Sequence, residues 1–358
     1  MQLALIKGDN FRSLKRVEIE PHARVNLITG QNAAGKTSLL ETIYCLGRAK
    51  SFRGNGAAEL AGPEGRYWSV SGRLKLHLDE PATGLGVRWD QAGTQIKLGQ
   101  NAKATAIELV SVIPVQILDP GMHRLLQDGP AYRRSFLDWG VFHVEQRFMP
   151  TWRRHHRALK QRNRALRSGA TVKEVRIWNP ELAESADQLQ QYRTEHLRAL
   201  KPLLAPLVTL FFGDDDWHID LQPGWSPESA LLETLDRQIE RDRRAGTTVE
   251  GAHRAELRIR LRNHQVKNHI SRGQQKLLIA AMLLAQAQLV HQQRGYAPIL
   301  LIDDFAAELA KEYQALFVNM LQAYAGQLFI TSFELLPALS SFTSAAMFHV
   351  EHGQVRQC

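Results

Sequence analysis

The segment from Gly30 to Thr37 constrains the fold of this chain more than any other part of its sequence. It reads GQNAAGKT: a glycine, four residues, then Gly35, Lys36 and Thr37. The two glycines allow the backbone to curl, so that successive N–H groups point towards one anion. An apolar strand pattern, VNLIT, precedes the segment, and a helical pattern, SLLETIY, follows it. This order is typical of a phosphate-binding loop in an α/β fold.

We expect the residues of this loop to contact a nucleoside triphosphate. Lys36 is expected to bring a flexible cation to the β- and γ-phosphates as a catalytic group, and the Thr37 hydroxyl is expected to ligate Mg²⁺. The residues expected to surround ATP are Gly30, Gln31, Asn32, Ala33, Ala34, Gly35, Lys36, Thr37 and Ser38. The sequence therefore predicts ATP and Mg²⁺ as cofactors.

A second apolar strand ends in two carboxylates, in the segment PILLIDDF. In a phosphate-loop fold, Asp303 is expected to hold Mg²⁺ directly or through water. Asp304 is then placed to orient or deprotonate the attacking water as a catalytic residue. Because aspartate is short for a general base, we expect ATP hydrolysis to be slow.

Helix and strand patterns divide the chain into three segments. Residues 66–117 contain short strand patterns with Gly-rich turns, ending in VIPVQIL, which predict an antiparallel layer. From about residue 133 to 211 the pattern is helical and favours two antiparallel helices. Helix and strand alternate again after residue 250, which suggests that a parallel sheet resumes. We therefore predict an α/β fold with a mixed sheet, in which a helical lobe (residues 121–245) interrupts an ATPase lobe (1–120 and 246–358).

The segment SRGQQ opens the helical pattern that precedes the acidic strand. Ser271 and Gln274 have the spacing of a capping box, in which each side chain satisfies a free backbone donor. Gly273 also permits close approach of a ligand, and a helix N-terminus favours an anion. The two interpretations are compatible, since a capped helix start can also present Ser271 to a phosphate.

The charge of the chain favours a polyanionic partner. Its formal net charge is +9, and the segment from residue 147 to 167 contains lysines and arginines but no acid. Five of these cations follow three- and four-residue steps and define one helical face: Arg153, Arg157, Lys160, Arg164 and Arg167. Such a face is expected to bind DNA phosphates without reading sequence. Alternatively, it is a solvated face or is neutralised by Glu181, Glu184 and Asp187.

Other features favour a cytoplasmic protein. No stretch approaches the length of apolar sequence that a membrane-spanning helix needs, and the first residues lack the pattern of a secretory signal. The two cysteines, Cys45 and Cys358, are poorly placed for a disulfide, which favours a reducing compartment.

The order of these motifs resembles the ABC-type P-loop ATPase head of SMC and Rad50 proteins. Over nearly the whole chain, the sequence also resembles the RecF family of bacterial recombination mediators. The segments that carry the second resemblance are NFRSL, GQNAAGKTSLLE, DGPAYRRSFLDW, HRAELRI, ISRGQQKLL and LLIDDFAAEL.

The resemblance implies an ATP-dependent homodimer that binds double-stranded and gapped or single-stranded DNA. It implies action with RecO and RecR in loading recombinase, in recombinational repair, replication and the SOS response. Ser271, Gly273 and Gln274 would contact ATP held by the other subunit, and Arg12 would lie near the nucleotide. The chain departs from the family pattern at Ala307 and Ala310, where serine and aspartate are usual, and no histidine follows QLFIT.

Two other classes of protein share parts of this pattern. The energising subunit of a membrane transporter, or another SMC-like ATPase, has the same phosphate loop, but a transporter subunit lacks the basic helical lobe. A metabolic kinase or a GTPase would lack the SRGQ helix, and no guanine-binding Asn/Thr-Lys-x-Asp motif is present.

Overall fold

Strands dominate the first third of the computed structural model, which describes residues 1–63, 65–77, 80–213, 216–262, 264–306 and 309–358. In chain order the first elements are β1 (Gln2–Phe11), β2 (Leu14–Ile19), β3 (Val25–Thr29), α1 (Lys36–Arg48), β4 (Tyr67–Lys75), β5 (Thr83–Asp90), β6 (Gly93–Leu98), α2 (Ala106–Val112) and β7 (Val115–Leu118).

Helices dominate the middle of the chain. The elements there are α3 (Arg124–Gln127), α4 (Pro130–Val144), α5 (Phe148–Arg167), α6 (Val172–Arg176), α7 (Asn179–Phe212), β8 (Trp217–Gln222), α8 (Leu231–Arg237), α9 (Ile239–Ala245), β9 (Glu256–Leu261), β10 (His264–Gln265) and α10 (Arg272–Arg294). The last elements are β11 (Ile299–Ile302), α11 (Lys311–Gln322), β12 (Leu328–Ser332), β13 (Ala345–Glu351) and β14 (Gln354–Gln357).

The chain forms two compact units, residues 1–122 with 290–358, and residues 123–289. The second unit and the predicted helical lobe begin at nearly the same residue but end at different ones. Residues 246–289, assigned from the sequence to the ATPase lobe, make most of their contacts in the second unit. The division of the sequence into an ATPase lobe and a helical lobe stays a prediction.

Two sheets build the first unit. One is antiparallel, in the order β2-β1-β4-β5-β6, and the other has the order β14-β13-β3-β12-β11-β7 with β13, β3, β12, β11 and β7 parallel. Helix α1 contacts strands of both sheets, and every residue from Ser38 to Gly47 is buried. Most of these buried residues are apolar, and the one buried acid of the helix, Glu41, pairs with Arg12. The mixed α/β architecture with an antiparallel layer is therefore as predicted.

One strand was predicted in the wrong sheet. The segment VIPVQIL contains β7, but β7 pairs in parallel with β11, through Leu118 and Ile302 among others, and is not part of the antiparallel layer. All its residues are buried, which is the pattern of a strand covered on both faces. The antiparallel strands precede β7 in the sequence, but this proximity did not indicate that β11 is its partner.

The second unit is built on α5 and α7, which run antiparallel. Thr151 bonds to Gln188 near the start of α5, and Arg162 bonds to Asn179 further along it. Their apolar sides meet in a core that includes Ala158, Leu182 and Leu189. A three-stranded antiparallel sheet in the order β10-β9-β8 belongs to the same unit. Among the described residues, no helix combines the length and apolar character needed to cross a membrane.

Candidate functional site

The loop between β3 and α1 adopts a backbone that requires glycine. The φ angles of Gly30 and Gly35 are 149° and 117°, values that side-chain-bearing residues rarely adopt. A Cβ at Gly30 would also lie 2.2 Å from the carbonyl oxygen of Val350. Helix α1 begins at Lys36, directly after the loop, so its free N–H groups and positive dipole end face the same space. The loop therefore has the geometry of an anion cradle.

The C-terminal hairpin of β13 and β14 supports this loop from outside. The Gly353 N–H donates a 2.9 Å hydrogen bond to the Ala34 carbonyl oxygen. A Cβ at Gly353 would lie 2.1 Å from the carbonyl oxygen of Ser13, so the close approach depends on glycine. Sequence reasoning missed this contact, because a glycine in a short polar turn gives no sign of a distant partner.

The Lys36 ammonium lies over the loop. Its Nζ donates to the carbonyl oxygens of Gly30 at 2.6 Å and Gln31 at 2.9 Å. Partial burial lowers the pKa of Lys36, and the nearby carboxylates of Asp304 and Asp303 oppose that shift. One cation and two carboxylates are thus close together beside the loop.

Asp303 follows β11 and joins the loop to the next strand. Its Oδ1 accepts hydrogen bonds from the hydroxyls of Thr37, at 3.0 Å, and Thr331, at 2.8 Å. The residue is buried, and burial raises the pKa of its carboxyl against the effect of the two hydroxyls. Thr37 and Asp303, which the sequence paired as Mg²⁺ ligands, are therefore in contact. Oxygen ligands of this kind suit a magnesium ion.

Asp304 adopts a left-handed backbone and faces solvent. Its φ angle is 52°, and its N–H donates to the Thr331 hydroxyl at 2.8 Å. A non-glycine residue in this conformation carries local strain, which is found more often at functional sites than elsewhere. Asp304 differs from its buried neighbour Asp303 in remaining accessible to a ligand.

These groups line one cleft of about 450 Å³. Its lining residues are Ser13, Asn32, Ala33, Gly35, Lys36, Thr37, Ser38, Arg53, Asp303, Asp304, Thr331 and Phe333. Eight of the residues predicted from the sequence are among them. The other four, which were not predicted as site residues, are Ser13, Arg53, Thr331 and Phe333. No pattern in the sequence shows that these four side chains reach the cleft.

The structure places Arg12 away from the described lining of this cleft. Its guanidinium donates to both carboxylate oxygens of Glu41, at 2.9 and 3.1 Å, and to Asn55 Oδ1 at 2.7 Å. Glu41 is fully buried, and its carboxylate also accepts from the Ser51 hydroxyl. Arg12 thus joins the turn after β1 to α1 and to the segment that carries Arg53. Its assignment to ATP stays a prediction.

Ser271 and Gln274 form the capping box that their spacing predicts. The Gln274 N–H donates to Ser271 Oγ at 3.2 Å, and the Ser271 N–H donates to Gln274 Oε1 at 3.0 Å. Both residues and Gly273 belong to the second compact unit, and their contact with ATP stays a prediction. Of the two departures from the family pattern, Ala310 is the N-cap of α11 and Ala307 lies outside the described residues.

The five cations predicted to share one helical face lie on α5 and are all exposed. They are here called the α5 stripe: Arg153, Arg157, Lys160, Arg164 and Arg167. Of the acids that might neutralise it, Glu181 and Glu184 instead pair with Arg154, at 2.7 and 3.3 Å. Arg162, also on α5, is fully buried and pairs with Asp242 at 2.6 Å. Within the part of the chain that the structure describes, none of the stripe cations forms an ion pair. The stripe is therefore a cationic surface open to a ligand.

Known proteins resemble the chain over nearly its full length. The family described as RecF/RecN/SMC N-terminal domain matches residues 2–354. The DNA replication and repair protein RecF of Stutzerimonas stutzeri is 36% identical, and the RecF protein of Pseudomonas aeruginosa strain PAO1 is 38% identical. Each alignment covers 100% of this chain and 98% of the relative.

Solved structures share the fold. A structure of the recombination mediator protein RecF with ATPrS, in the RecFOR pathway, has a TM-score of 0.87 at 24% identity and covers 99% of this chain and 98% of that one. An SMC head bound to the C-winged helix domain of ScpA has a TM-score of 0.61 at 14% identity, covering 100% and 98%. The fold is thus that of an ABC-type ATPase head. By the family match and the full-length relatives, this chain belongs to the RecF family.

Proposed function

We propose that this protein is an ATP-dependent DNA-binding protein of recombinational repair and replication. It acts in the cytoplasm as a nucleotide-gated homodimer on gapped and duplex DNA, and with RecO and RecR it helps to load recombinase in the SOS response. The observation that carries the proposal is the cleft in which Lys36, Thr37 and Asp303 meet beside a glycine-dependent loop.

The loop residues bind the triphosphate. The backbone N–H groups of residues 30–38 surround the phosphates, and Lys36 exchanges its bonds to the Gly30 and Gln31 carbonyls for phosphate oxygens. A cation whose pKa is lowered by burial gains most from an anionic ligand, because the ligand restores the favourable field that water had supplied.

The Thr37 hydroxyl and the Asp303 carboxylate, which are in contact, would hold Mg²⁺. When bound, this ion neutralises charge on the β- and γ-phosphates. Asp304, which is exposed and follows Asp303 directly, would orient the attacking water or accept its proton. The side chain of aspartate is short for this task, so hydrolysis is slow and serves as a switch.

Ser271, Gly273 and Gln274 of one copy contact the ATP bound by the other. This assignment is supported by the position of Ser271, which forms the capping box at the N-terminus of a long helix and is exposed there. An anion is favoured at a helix N-terminus. ATP then joins two copies of the chain, and hydrolysis releases them. The α5 stripe supplies the DNA contact, because its five cations are exposed and, among the described residues, none of them forms an ion pair.

The first experiment measures fluorescence anisotropy of a labelled gapped duplex with Mg²⁺ and either ATP or ADP. Wild type is expected to bind at least ~10-fold more tightly with ATP, a common size for coupling between two sites. Lys36→Met is expected to abolish this difference, whereas Lys97→Met, which changes an exposed lysine outside the cleft, is expected to retain it.

Light scattering on the same samples reports whether ATP converts monomers to dimers. Binding that ignores the nucleotide would remove the gating part of the proposal. Failure of wild type to bind at low salt would remove the DNA part.

A further inference from the structure

The exposed side of α5 carries two stacked rings as well as its cations. The imidazole of His156 lies parallel to the indole of Trp152, with the ring centroids 4.8 Å apart and 5° between the planes. Trp152 is half-buried and packs against the core of the second unit, whereas His156 is exposed. One face of the imidazole is therefore covered by the indole, and the opposite face is open to a ligand.

The ring pair lies within the α5 stripe. His156 comes three residues after Arg153 and four before Lys160, spacings that place all three on one helical face. Arg157 is its neighbour in sequence and is also exposed. Arg154 pairs with Glu181 and Glu184 and offsets part of the negative charge of these acids.

We infer that the His156–Trp152 pair is a stacking platform for one unpaired nucleobase of DNA. The inference rests on the proposed DNA-binding function and adds to it a preference for DNA with an unpaired base. In a continuous duplex the faces of each base are covered by its neighbours, so no base is free to stack on the imidazole. At a gap or a single-stranded end a base can leave the helix, and histidine is among the side chains on which such bases stack.

On this surface the cations bind phosphates and the ring pair binds the base. Arg153, Arg157 and Lys160 attract the phosphates on either side of the base, in duplex and single strand alike. The ring pair supplies the part that depends on an accessible base, because stacking is tolerant of sequence but needs an open π-face. Trp152 fixes the imidazole against the core, so little side-chain freedom is lost when a base binds.

The test uses the full chain with ATP and Mg²⁺ and two DNA molecules of equal length, one a continuous duplex and one with a short gap. 2-Aminopurine placed in the gap reports stacking through a fall in its fluorescence. We expect His156→Ala to lower affinity for the gapped DNA about 5- to 10-fold and to abolish the fluorescence change. Affinity for the continuous duplex is expected to stay within about twofold, because no base there contacts the ring.

Two variants separate stacking from charge. His156→Phe keeps an aromatic ring and is expected to restore both the affinity and the fluorescence change. Arg157→Gln is expected to weaken binding to both DNA molecules alike. Equal effects of His156→Ala on the two molecules, or none on either, would overturn the inference while leaving the DNA-binding function standing. Failure of wild type to bind either DNA would instead overturn the proposed function.

Discussion

The Thr37 hydroxyl donates a 3.0 Å hydrogen bond to Oδ1 of Asp303, and so joins the first turn of α1 to the end of β11. The same oxygen accepts from Thr331 at the end of β12. Three elements thus converge on one buried carboxylate, whose pKa is raised because burial disfavours its charged form. Because the carboxylate of Asp303 is buried, its negative charge lowers the free energy of unfolding unless a cation binds beside it.

Asp303→Asn is therefore expected to stabilise the protein when nucleotide and Mg²⁺ are left out. The folded-state pKa of Asp303 lies above the ordinary value of 3.8, so the folded protein holds this proton more tightly than the unfolded chain does. Stability from this group is highest below 3.8 and falls as the pH rises through the folded-state pKa. At pH 7.5 the variant should melt a few degrees higher, at about 2–4 °C per kcal/mol.

Melting curves from pH 7.5 downwards check this expectation, and the gap between the variant and wild type should narrow as the pH falls. The same substitution should remove the Mg²⁺-dependent part of ATP affinity, measured by calorimetry with and without the metal. A variant that melts lower than wild type at pH 7.5 without ligands would contradict the stability argument.

Arg162→Met is expected to destabilise the second unit by about 3–5 kcal/mol, the usual cost of leaving a buried charge without its partner. Arg162 is fully buried, and its guanidinium donates to Asp242, Thr248 and Asn179. Urea unfolding measures the loss, and adding Asp242→Asn should recover part of it. Arg154→Met, which breaks an exposed pair with Glu181, is the control and should cost no more than about 1 kcal/mol. Equal losses of unfolding free energy in Arg162→Met and Arg154→Met would show that burial of the Arg162 pair adds nothing to its contribution.

Mild acid is expected to weaken the second unit. Burial lowers the pKa of His155 to about 3 and the pKa values of His196 and His253 to about 4. The unfolded chain therefore binds protons that the folded unit excludes. Stability is complete above the ordinary value of 6.5 and is lost as the pH falls from 6.5 towards 4, by about 1.4 kcal/mol per pH unit for each histidine. Urea midpoints at pH 7.5, 6.5 and 5.5 measure this slope, and His196→Gln should reduce it. A flat profile would show that these histidines are not excluded from protonation.

The salt dependence of DNA binding reports how many stripe cations touch phosphates. Arg157→Gln should lower the slope of log K against log salt concentration by about 0.9, the value for one lost phosphate contact on B-DNA. The matched control is the double variant Arg154→Gln with Glu181→Gln, which leaves the net charge unchanged and should leave the slope unchanged. A slope that is equal in wild type and Arg157→Gln would place DNA elsewhere on the protein.

The fold and the meeting of the loop residues with Asp303 in one cleft could be predicted from the sequence because their signals are local. Gly30, Gly35, Lys36 and Thr37 act over one turn of chain, and Asp303 ends a short apolar strand. The helical period likewise placed the α5 stripe on one face, and all its members are exposed. Patterns of this kind report on the conformation of the segment that contains them.

Partners far apart in sequence were beyond the same reasoning. Among the cations of α5, the spacing could not show that Arg154 pairs with Glu181 on α7 or that Arg162 is buried with Asp242. Nor could the motif around Arg12 show that its guanidinium pairs with the buried carboxylate of Glu41, and its assignment to ATP stays a prediction. In each case a charge was visible in the sequence, and the residue that satisfies it was set by the fold.

The parallel sheet has a consequence for how the protein is made. Strand β3, which leads into the phosphate loop, pairs with β12 and β13, and Thr29 and His349 in this pairing are separated by 320 positions. The loop also rests on Gly353. Since a chain is synthesised from its N-terminus, the loop leaves the ribosome long before the strands and the turn that support it. An unfinished chain therefore lacks the frame of the cleft until translation has passed Gly353.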